Sequence, residues 1–262
     1  MNKRFGPKEI EVIARLSYEK MDIITKERFE KFFGKSMLTR QVIYQLKKKG
    51  ILASIRKGVY YYSPLEAGPF GRKINAYLIP PILFPKGNYY VGYSTMYNLY
   101  GFTDQIFQMF HILNTSYQAK RVICGSQFKL IRVSPRRMFG LEKVKVQGSE
   151  IIVSDRERTL VDLFYFPDPV GGLGQAFEIL KSQVMTRKMD VKKLIKYALW
   201  FPSISTRKRI GYILEKCGIL DSTLKPILKN VAKTSLGSLY GTKSRRGKIN
   251  QKWKVIIDDA QR

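Results

Sequence analysis

Residues 47–64, KKKGILASIRKGVYYYSP, decide how the N-terminal part of the chain folds. A lysine-rich segment ends at Gly50, and two extended runs follow, separated by a turn that contains Gly58. Two such runs around a glycine-containing turn are typical of a β-hairpin, and glycine accepts the backbone angles that a tight turn requires. The stretch therefore predicts a basic helix that leads directly into a hairpin with two cations, Arg56 and Lys57, at its tip.

Three helical segments precede the hairpin. Pro7 is suited to the first turn of a helix, Thr25 and Ser36 are suited to capping positions, and glycines at 34 and 50 are suited to helix ends. Three helices followed by a hairpin have the order of a winged helix-turn-helix domain, which we predict for residues 1–64. The three helical segments are GPKEIEVIARLSYEK, with Ile10, Val12, Ile13 and Leu16 on its apolar side, TKERFEKFFG and SMLTRQVIYQLKKKG.

The third helix has an apolar face and a polar face. Leu38, Val42 and Leu46 recur every four residues and are expected to face inward, with Ile43 beside them. An α-helix fits the major groove of duplex DNA, where exposed polar side chains reach base edges, and a basic hairpin tip can hold phosphates. The alternatives are a solvated basic face and a protein-binding module. The candidate DNA-binding residues are Ser36, Thr39, Arg40, Tyr44 and Lys47 on the helix, and Arg56 and Lys57 on the wing.

The charge of the chain favours a polyanionic partner. The 262 residues carry a formal net charge of +28, and the sequence pI is about 10.1. Nucleic acid is the first candidate partner and an anionic membrane is the second. No apolar run approaches the length of a membrane span, the N-terminus is charged, and two distant cysteines form no disulfide or metal pattern. We therefore expect a cytoplasmic protein that does not act at a membrane.

The remainder of the chain predicts a second domain of mixed composition. Residues 65–71 are rich in glycine and proline and predict a linker, and residues 72–262 predict extended runs followed by helices. Strands in one block and helices in the next indicate an α+β domain. Two basic segments, 205–218 and 243–254, add possible nucleic-acid contacts, and in the second of these Trp253 is either buried under a surface loop or part of a phosphate-binding segment. The added contacts are Arg207, Lys208, Arg209, Arg245 and Arg246.

The sequence offers no convincing catalytic site. SDRERTLVD, residues 154–162, fits a capping box between Ser154 and Glu157. Two acidic residues of this segment, Asp155 and Asp162, would lie about 10 Å apart along a helix, too far for one metal ion without further ligands. His111 is the only histidine and is expected to be packed in a sheet, and neither a phosphate-binding loop nor a dinucleotide-binding fingerprint is present. We therefore expect no cofactor, no metal and no enzymatic activity.

Five segments of the sequence, taken together, resemble the AbiEi family. Its members are the antitoxins of type IV toxin–antitoxin systems in abortive infection, and they are also described as transcriptional regulators of viral defence. The resemblance implies an N-terminal DNA-binding domain that represses the protein's own operon and a C-terminal antitoxin domain. It also implies a nucleotidyltransferase-like toxin as the functional partner, without a stable complex between the two proteins. The matching strings are LKKKGILASIRKGVYYY, YYVGYSTMYNLYGFTDQ, IIVSDRERTLVDLFYFPDPVGG, RIGYILEKCG and GKINQKWKVIIDD.

Two other classes of function remain open from the residues alone. The basic residues 181–262 and the many tyrosines could clamp and stack a single strand, as in an RNA-binding or RNA-processing protein. A nuclease or nucleotidyltransferase is the other class, and the lack of a carboxylate cluster or phosphate loop counts against it.

Overall fold

The computed structural model describes residues 4–68, 73–242 and 246–257, and it has the mixed α+β fold that the sequence predicts. A small N-terminal unit of helices and strands is followed by a larger unit, in which a mixed β-sheet packs against a block of helices. None of the helices in these ranges is long and apolar enough to cross a bilayer.

All of the helices and both strands of the hairpin predicted for the N-terminal unit are present. The prediction missed a three-residue strand between the first two helices, which pairs antiparallel with the second hairpin strand and makes a sheet of order β1-β3-β2. In chain order the elements are α1 (Pro7–Tyr18), β1 (Ile23–Thr25), α2 (Lys26–Phe33), α3 (Met37–Lys48), β2 (Leu52–Arg56) and β3 (Val59–Tyr62).

In the N-terminal unit, two apolar residues that were predicted to face the core, one on α3 and one on α1, are exposed. Leu38 is 39% exposed, and Thr39 takes its place beside Val42, Ile43 and Leu46 in the buried stripe of α3. Positions 39, 42, 43 and 46 follow the three-and-four spacing of a single helix face, whereas a strict four-residue repeat drifts around the helix. In α1, Ile10 is likewise exposed rather than apolar-side core.

The larger unit is built on a six-stranded sheet of order β6-β7-β5-β4-β9-β8. Strand β4 pairs parallel with β9, and β5 pairs parallel with β7, while the other neighbours are antiparallel. Its elements up to the end of the sheet are α4 (Ile79–Leu83), β4 (Tyr89–Val91), α5 (Ser94–Leu99), β5 (Met109–Asn114), β6 (Ala119–Ile123), β7 (Ser126–Arg132), β8 (Leu141–Val146) and β9 (Ser149–Ser154).

A block of helices and a small sheet follow. The helices predicted from residue 155 to residue 218 are confirmed, and a further helix containing Pro226 was not predicted. Trp253 is fully buried, which agrees with the interpretation that places it under a surface segment; residues 248–250 of that segment form a short strand and residues 251–254 form a turn. The elements are α6 (Arg156–Tyr165), α7 (Leu173–Met185), α8 (Val191–Trp200), α9 (Ile204–Lys216), α10 (Asp221–Val231), β10 (Gly237–Ser238), β11 (Lys248–Asn250) and β12 (Val255–Ile257).

The N-terminal unit is attached to the larger unit through an apolar interface. Ile55 of β2 and Tyr61 of β3 belong to the same buried cluster as Ile79 of α4 and Phe128 of β7. Strand β2 therefore packs with one face on its own helices and with the other face on the second unit. The division of the chain into domains at 1–64 and 72–262 with a linker at 65–71 stays a prediction.

Candidate nucleic-acid interface

Helix α3 begins and ends as its sequence predicts. The Oγ of Ser36 accepts a hydrogen bond from the backbone N–H of Thr39 at 3.3 Å, which caps the helix. The chain leaves the helix at Gly50, whose φ of +74° lies in the left-handed region. The candidate residue Ser36 is exposed, but its hydroxyl is occupied by the cap and by the carbonyl oxygen of Phe33 at 3.2 Å.

The outward face of α3 presents polar side chains that the protein does not use for itself. Arg40, Tyr44 and Lys47 are exposed, and the Tyr44 side chain is 62% accessible. Their spacing of four and three residues places them along one side of the helix. No residue in the described ranges forms a hydrogen bond or an ion pair with any of the three side chains. The structure thus brings together three of the predicted recognition residues on a free surface.

Thr39 does not belong to that surface. Its side chain is 1% exposed, and its hydroxyl donates a 2.7 Å hydrogen bond to the carbonyl oxygen of Gly34 in the turn between α2 and α3. A buried hydroxyl that donates to a backbone carbonyl oxygen stabilises the turn. The prediction of Thr39 as a DNA-binding residue was therefore wrong, and the residue instead stabilises the turn between α2 and α3.

The hairpin turn places two more cations beside α2. Arg56 pairs with Val59, so the turn consists of Lys57 and Gly58, with Gly58 at a φ of +77°. The backbone N–H of Lys26 donates to the carbonyl oxygen of Gly58 at 2.8 Å, which ties the turn to the start of α2. The wing is therefore short and held in place, and the side chains of Arg56 and Lys57 are exposed.

The three tyrosines after the turn alternate between the two faces of the strand. Tyr60 contacts the ring of Phe29 edge-on at 6.1 Å, and the hydroxyl of Tyr62 lies 2.8 Å from the Oγ of Ser17, so both face the helices. Tyr61 points to the opposite face and joins the core shared with the second unit. The aromatic strand thus holds the hairpin against the helices, while Arg56 and Lys57 at the turn remain exposed.

Arg207 has a structural role in the second unit. Its guanidinium donates to the carbonyl oxygens of Ala198 at 3.0 Å and Phe201 at 2.7 Å, and to Oδ1 of Asn230 at 2.9 Å. These bonds satisfy carbonyl groups at the C-terminal end of α8 and connect α8, α9 and α10. The prediction of Arg207 as an added nucleic-acid contact is therefore corrected to a role in joining three helices.

Lys208 and Arg209 also donate hydrogen bonds to carbonyl oxygens within the protein. Lys208 is 4% exposed, its Nζ donates to the carbonyl oxygen of Ser235, and burial lowers its pKa. The Nε of Arg209 donates to the carbonyl oxygen of Leu239 at 2.9 Å, and burial lowers its pKa too. Both predictions of a nucleic-acid contact are corrected, because these cations hold the chain between α10 and β11 against α9.

The second basic segment is only partly described. Arg245 lies outside the described residues. Arg246 is exposed just before β11, and it also interacts within the protein. The candidate surface that the structure supports consequently lies on α3 and the hairpin turn, and not on the basic segments of the second unit.

The acidic residues of α6 serve folding. Strand β9 runs to Ser154, so Asp155, and not Ser154, caps the helix: its Oδ1 accepts from the backbone N–H of Arg158 at 2.8 Å. The predicted capping box was wrong, because the Oε1 of Glu157 accepts instead from the backbone N–H of Asp190 at 3.0 Å. In the chain as far as it is described, no three acidic, histidine or cysteine side chains are placed to hold a metal ion.

A charged cluster lies buried behind α6. Asp162 is fully buried, and its Oδ1 contacts Arg158, also fully buried, and the Nη2 of Arg137 at 3.5 Å. The Nη2 atom of each arginine also donates a hydrogen bond to a tyrosine hydroxyl, from Arg158 to Tyr90 at 2.9 Å and from Arg137 to Tyr93 at 2.8 Å. Burial and the charge of Asp162 raise the pKa of Tyr93 to about 12, so this hydroxyl stays protonated. The cluster therefore anchors α6 to the sheet.

His111 is packed in β5, as predicted. The side chain is 5% exposed, and its Nδ1 lies 2.9 Å from the Oγ of Ser94. Burial, with a smaller contribution from Lys129, lowers the pKa of His111 to about 4, so the imidazole is neutral at neutral pH. The Ser94–His111 pair is enclosed by aromatic rings, including those of Tyr93 and Phe166. It joins α5 to the sheet.

Comparison with known proteins shows a fold that has been seen before. No protein-family model matches the sequence, and no curated protein matches it significantly. Three chains among the solved structures match, and one of them is the crystal structure of the RV2827C protein from Mycobacterium tuberculosis. The superposition has a TM-score of 0.68 at 15% sequence identity and covers 97% of this chain and 92% of the other. At this identity the likeness shows the fold, which both chains share over nearly their whole length.

Proposed function

We propose that residues 1–64 form a winged helix-turn-helix that binds duplex DNA, and that the protein represses transcription of its own operon. The support for the fold is the order helix, strand, two helices and hairpin, with the sheet order β1-β3-β2. The support for binding is the exposed polar face of α3 beside an exposed basic turn. Helix α3 is the recognition helix, and the turn at Lys57 is the wing.

The observation that carries the proposal is the unsatisfied outward face of α3. Arg40, Tyr44 and Lys47 are exposed and have no partner among the described residues, although Glu9 and Glu30 on the neighbouring helices pair with other lysines. A major groove about 12 Å wide admits an α-helix, and arginine can bind the O6 and N7 of guanine with two hydrogen bonds. Arg40 is therefore the base-reading residue, with Tyr44 and Lys47 along the groove.

The wing supplies contacts to the phosphate backbone that do not depend on the DNA sequence. Arg56 and Lys57 project from a turn that is tied to the start of α2 by the Lys26–Gly58 hydrogen bond. Cations held at a fixed distance from a recognition helix position it on the phosphate backbone without reading bases. Ser36 lies at the N-terminal end of α3, close to where the backbone of a bound duplex passes.

The family resemblance extends the proposal to the second unit. In it, residues 72–262 act as an antitoxin that counteracts a nucleotidyltransferase-like toxin without a stable complex, and the protein has no enzymatic activity of its own. This part rests on the resemblance of the five sequence strings. Co-expression of the toxin with the full chain tests it: growth is rescued if the protein is the antitoxin, and stays arrested if it is not.

The DNA-binding proposal is tested by gel retardation with the DNA upstream of the protein's own operon and a scrambled duplex of equal length. We expect the upstream duplex to be bound much more tightly at moderate salt. Equal affinity for the two duplexes would contradict sequence-specific binding. The two experiments are independent, because one measures DNA affinity and the other measures relief from the toxin.

A further inference from the structure

A groove between α8 and α10 has a half-exposed tryptophan at its edge. The groove is open and has a volume of about 520 Å³, within the range of ligand-binding clefts. Ile195, Leu199 and Pro226 form apolar parts of its lining, and Lys192 and Lys196 stand beside them. Trp200, at the end of α8, is 52% exposed, whereas the only other tryptophan, Trp253, is fully buried.

The lysines of the groove have no carboxylate partner among the described residues. Lys192 and Lys196 lie one helical turn apart, and neither forms an ion pair with any residue in the described ranges. Their neighbour Lys193 is different, because its Nζ lies 3.2 Å from Oδ2 of Asp155 and 2.9 Å from Oε2 of Glu157. Helix α8 thus has one lysine used for folding and two directed to the groove.

The acidic residues at the two ends of the groove form their contacts with other groups and not with Lys192 or Lys196. Both carboxylate oxygens of Asp221, at the start of α10, accept hydrogen bonds from Lys252 at 2.8 and 2.9 Å. Asp190, before α8, caps the helix by accepting from the backbone N–H of Lys193 at 3.1 Å. On α10, Lys229 is exposed three residues after Pro226, on the same side of the helix, and extends the basic track.

The ammonium group of Lys196 lies over one face of the Trp200 ring. The Nζ of Lys196 lies 4.6 Å from the centroid of the Trp200 ring, and the ring of Phe139 meets the indole edge-on at 5.5 Å. A phosphate that pairs with Lys196 therefore brings its own base next to a supported aromatic surface. Aromatic side chains next to a cationic path are the elements with which proteins bind single strands, because every base has a face that can stack.

We propose that this groove binds single-stranded nucleic acid, with a base stacked on Trp200 and the backbone phosphates on Lys192 and Lys196. The strand is unpaired because a base within a duplex has both faces covered by its neighbours. The site is separate from α3, so the protein has one surface for duplex DNA and another for single strands. Its lining contains lysines and no acid, which complements a polyanion.

The two tryptophans make the binding observable. Titration of the full chain with short oligo(rU) and oligo(dT) should quench the fluorescence of Trp200, and the buried Trp253 should contribute a constant background. In Trp200→Ala the quenching should disappear, and the affinity, measured by anisotropy of a labelled oligonucleotide, should fall by about 5- to 150-fold. Trp200→Phe retains an aromatic face and should keep most of the affinity.

Charge and stacking are separated by further variants. Lys192→Ala and Lys196→Ala should each reduce the salt dependence of single-strand binding, by about 0.7 in the slope of log K against log salt. Arg40→Ala is the matched control, because it removes one exposed cation on α3 and should leave single-strand affinity unchanged. Duplex binding by the Trp200→Ala variant should also be unchanged, so failure here is distinct from failure of the DNA-binding proposal.

Three results would overturn the inference. The first is unchanged affinity for the oligonucleotides in both Trp200→Ala and the double variant of Lys192 and Lys196. The second is an affinity for poly-glutamate equal to that for an oligonucleotide of the same charge, which would indicate a site for an acidic protein. The third is competition by duplex DNA at the affinity of the single strand, which would indicate binding by charge alone.

Discussion

The ring of Trp253 lies directly on the backbone of Gly211, so that a Cβ atom at position 211 would come within 2.0 Å of Cζ3 of the indole. Gly211 is in the middle of α9, and Trp253 is in the turn between β11 and β12. The Nε1 of Trp253 donates to Oε2 of Glu215 one turn further along α9 at 2.7 Å. The contact fixes the small C-terminal sheet on the helix block.

The absence of a side chain at position 211 should therefore be essential to stability. We expect Gly211→Ala to lower the free energy of unfolding by about 3 kcal/mol, because the indole or the helix must move to admit the methyl group. Gly174→Ala, in α7, is the control: no atom lies within 4 Å of the added Cβ, and the change should stabilise the helix by about 0.5 kcal/mol. Urea unfolding of the two variants measures both effects. Equal stability of the two would contradict the packing described.

Removing the negative charge of the buried cluster behind α6 should lower the free energy of unfolding. Asp162→Asn leaves the guanidiniums of Arg158 and Arg137 in the interior without a counter-charge, and we expect a loss of about 3–5 kcal/mol in unfolding free energy. Asp168→Asn removes an exposed carboxylate in the turn after α6 and should change stability by less than about 0.5 kcal/mol. If Asp162→Asn lowered the unfolding free energy no more than Asp168→Asn does, Asp162 would not neutralise the arginines.

A substitution at Thr39 should lower the stability of the protein without changing its preference among DNA sequences. Thr39→Val removes the hydroxyl that donates to Gly34, and we expect a loss of about 1 kcal/mol of stability with no change in the preference among duplex sequences. Chemical denaturation and DNA-binding assays on the same variant measure the two quantities. A changed sequence preference at unchanged stability would restore Thr39 to the recognition surface.

His111 should make stability depend on pH in acid. Its pKa is about 4 in the folded protein and about 6.5 in the unfolded chain, so between these values the unfolded state binds more protons. Stability is then fully present above pH 6.5 and is lost as the pH falls, by about 2 kcal/mol between pH 7.5 and pH 5. His111→Gln should remove this part of the dependence. Parallel stability curves for the wild type and His111→Gln over this range would show that the residue titrates normally.

The local signals in the sequence were strong enough to predict the N-terminal unit. Caps such as Ser36, end glycines such as Gly50 and the Lys57–Gly58 turn act within a few residues, and all three are found in the structure. The strand β1 was missed because three residues carry too little pattern, and its pairing with β3 is a tertiary interaction. The sequence spacing also left Thr39 at the edge of the polar face, where burial against Gly34 decided its role.

The partners of the basic residues of α9 could not be predicted from the sequence. Three consecutive cations near the start of a predicted helix indicate a binding surface, yet Arg207, Lys208 and Arg209 each donate to backbone carbonyl groups from other parts of the chain. Which carbonyls lie near a helix is determined by the packing of α8, α10 and the last strands. The free lysines of α8 look no different in sequence from Lys193, which is paired.

Sequence-specific binding should depend most on the outward face of α3, and the discrimination between the upstream duplex and a scrambled duplex measures it most directly. We expect Arg40→Ala to reduce this discrimination by about 1–3 kcal/mol. Lys57→Ala should instead weaken both duplexes equally and reduce the salt slope by about 0.9. The double variant Lys192→Ala/Lys196→Ala should leave the discrimination unchanged. An unaltered ratio of the two affinities in Arg40→Ala would contradict recognition by this helix.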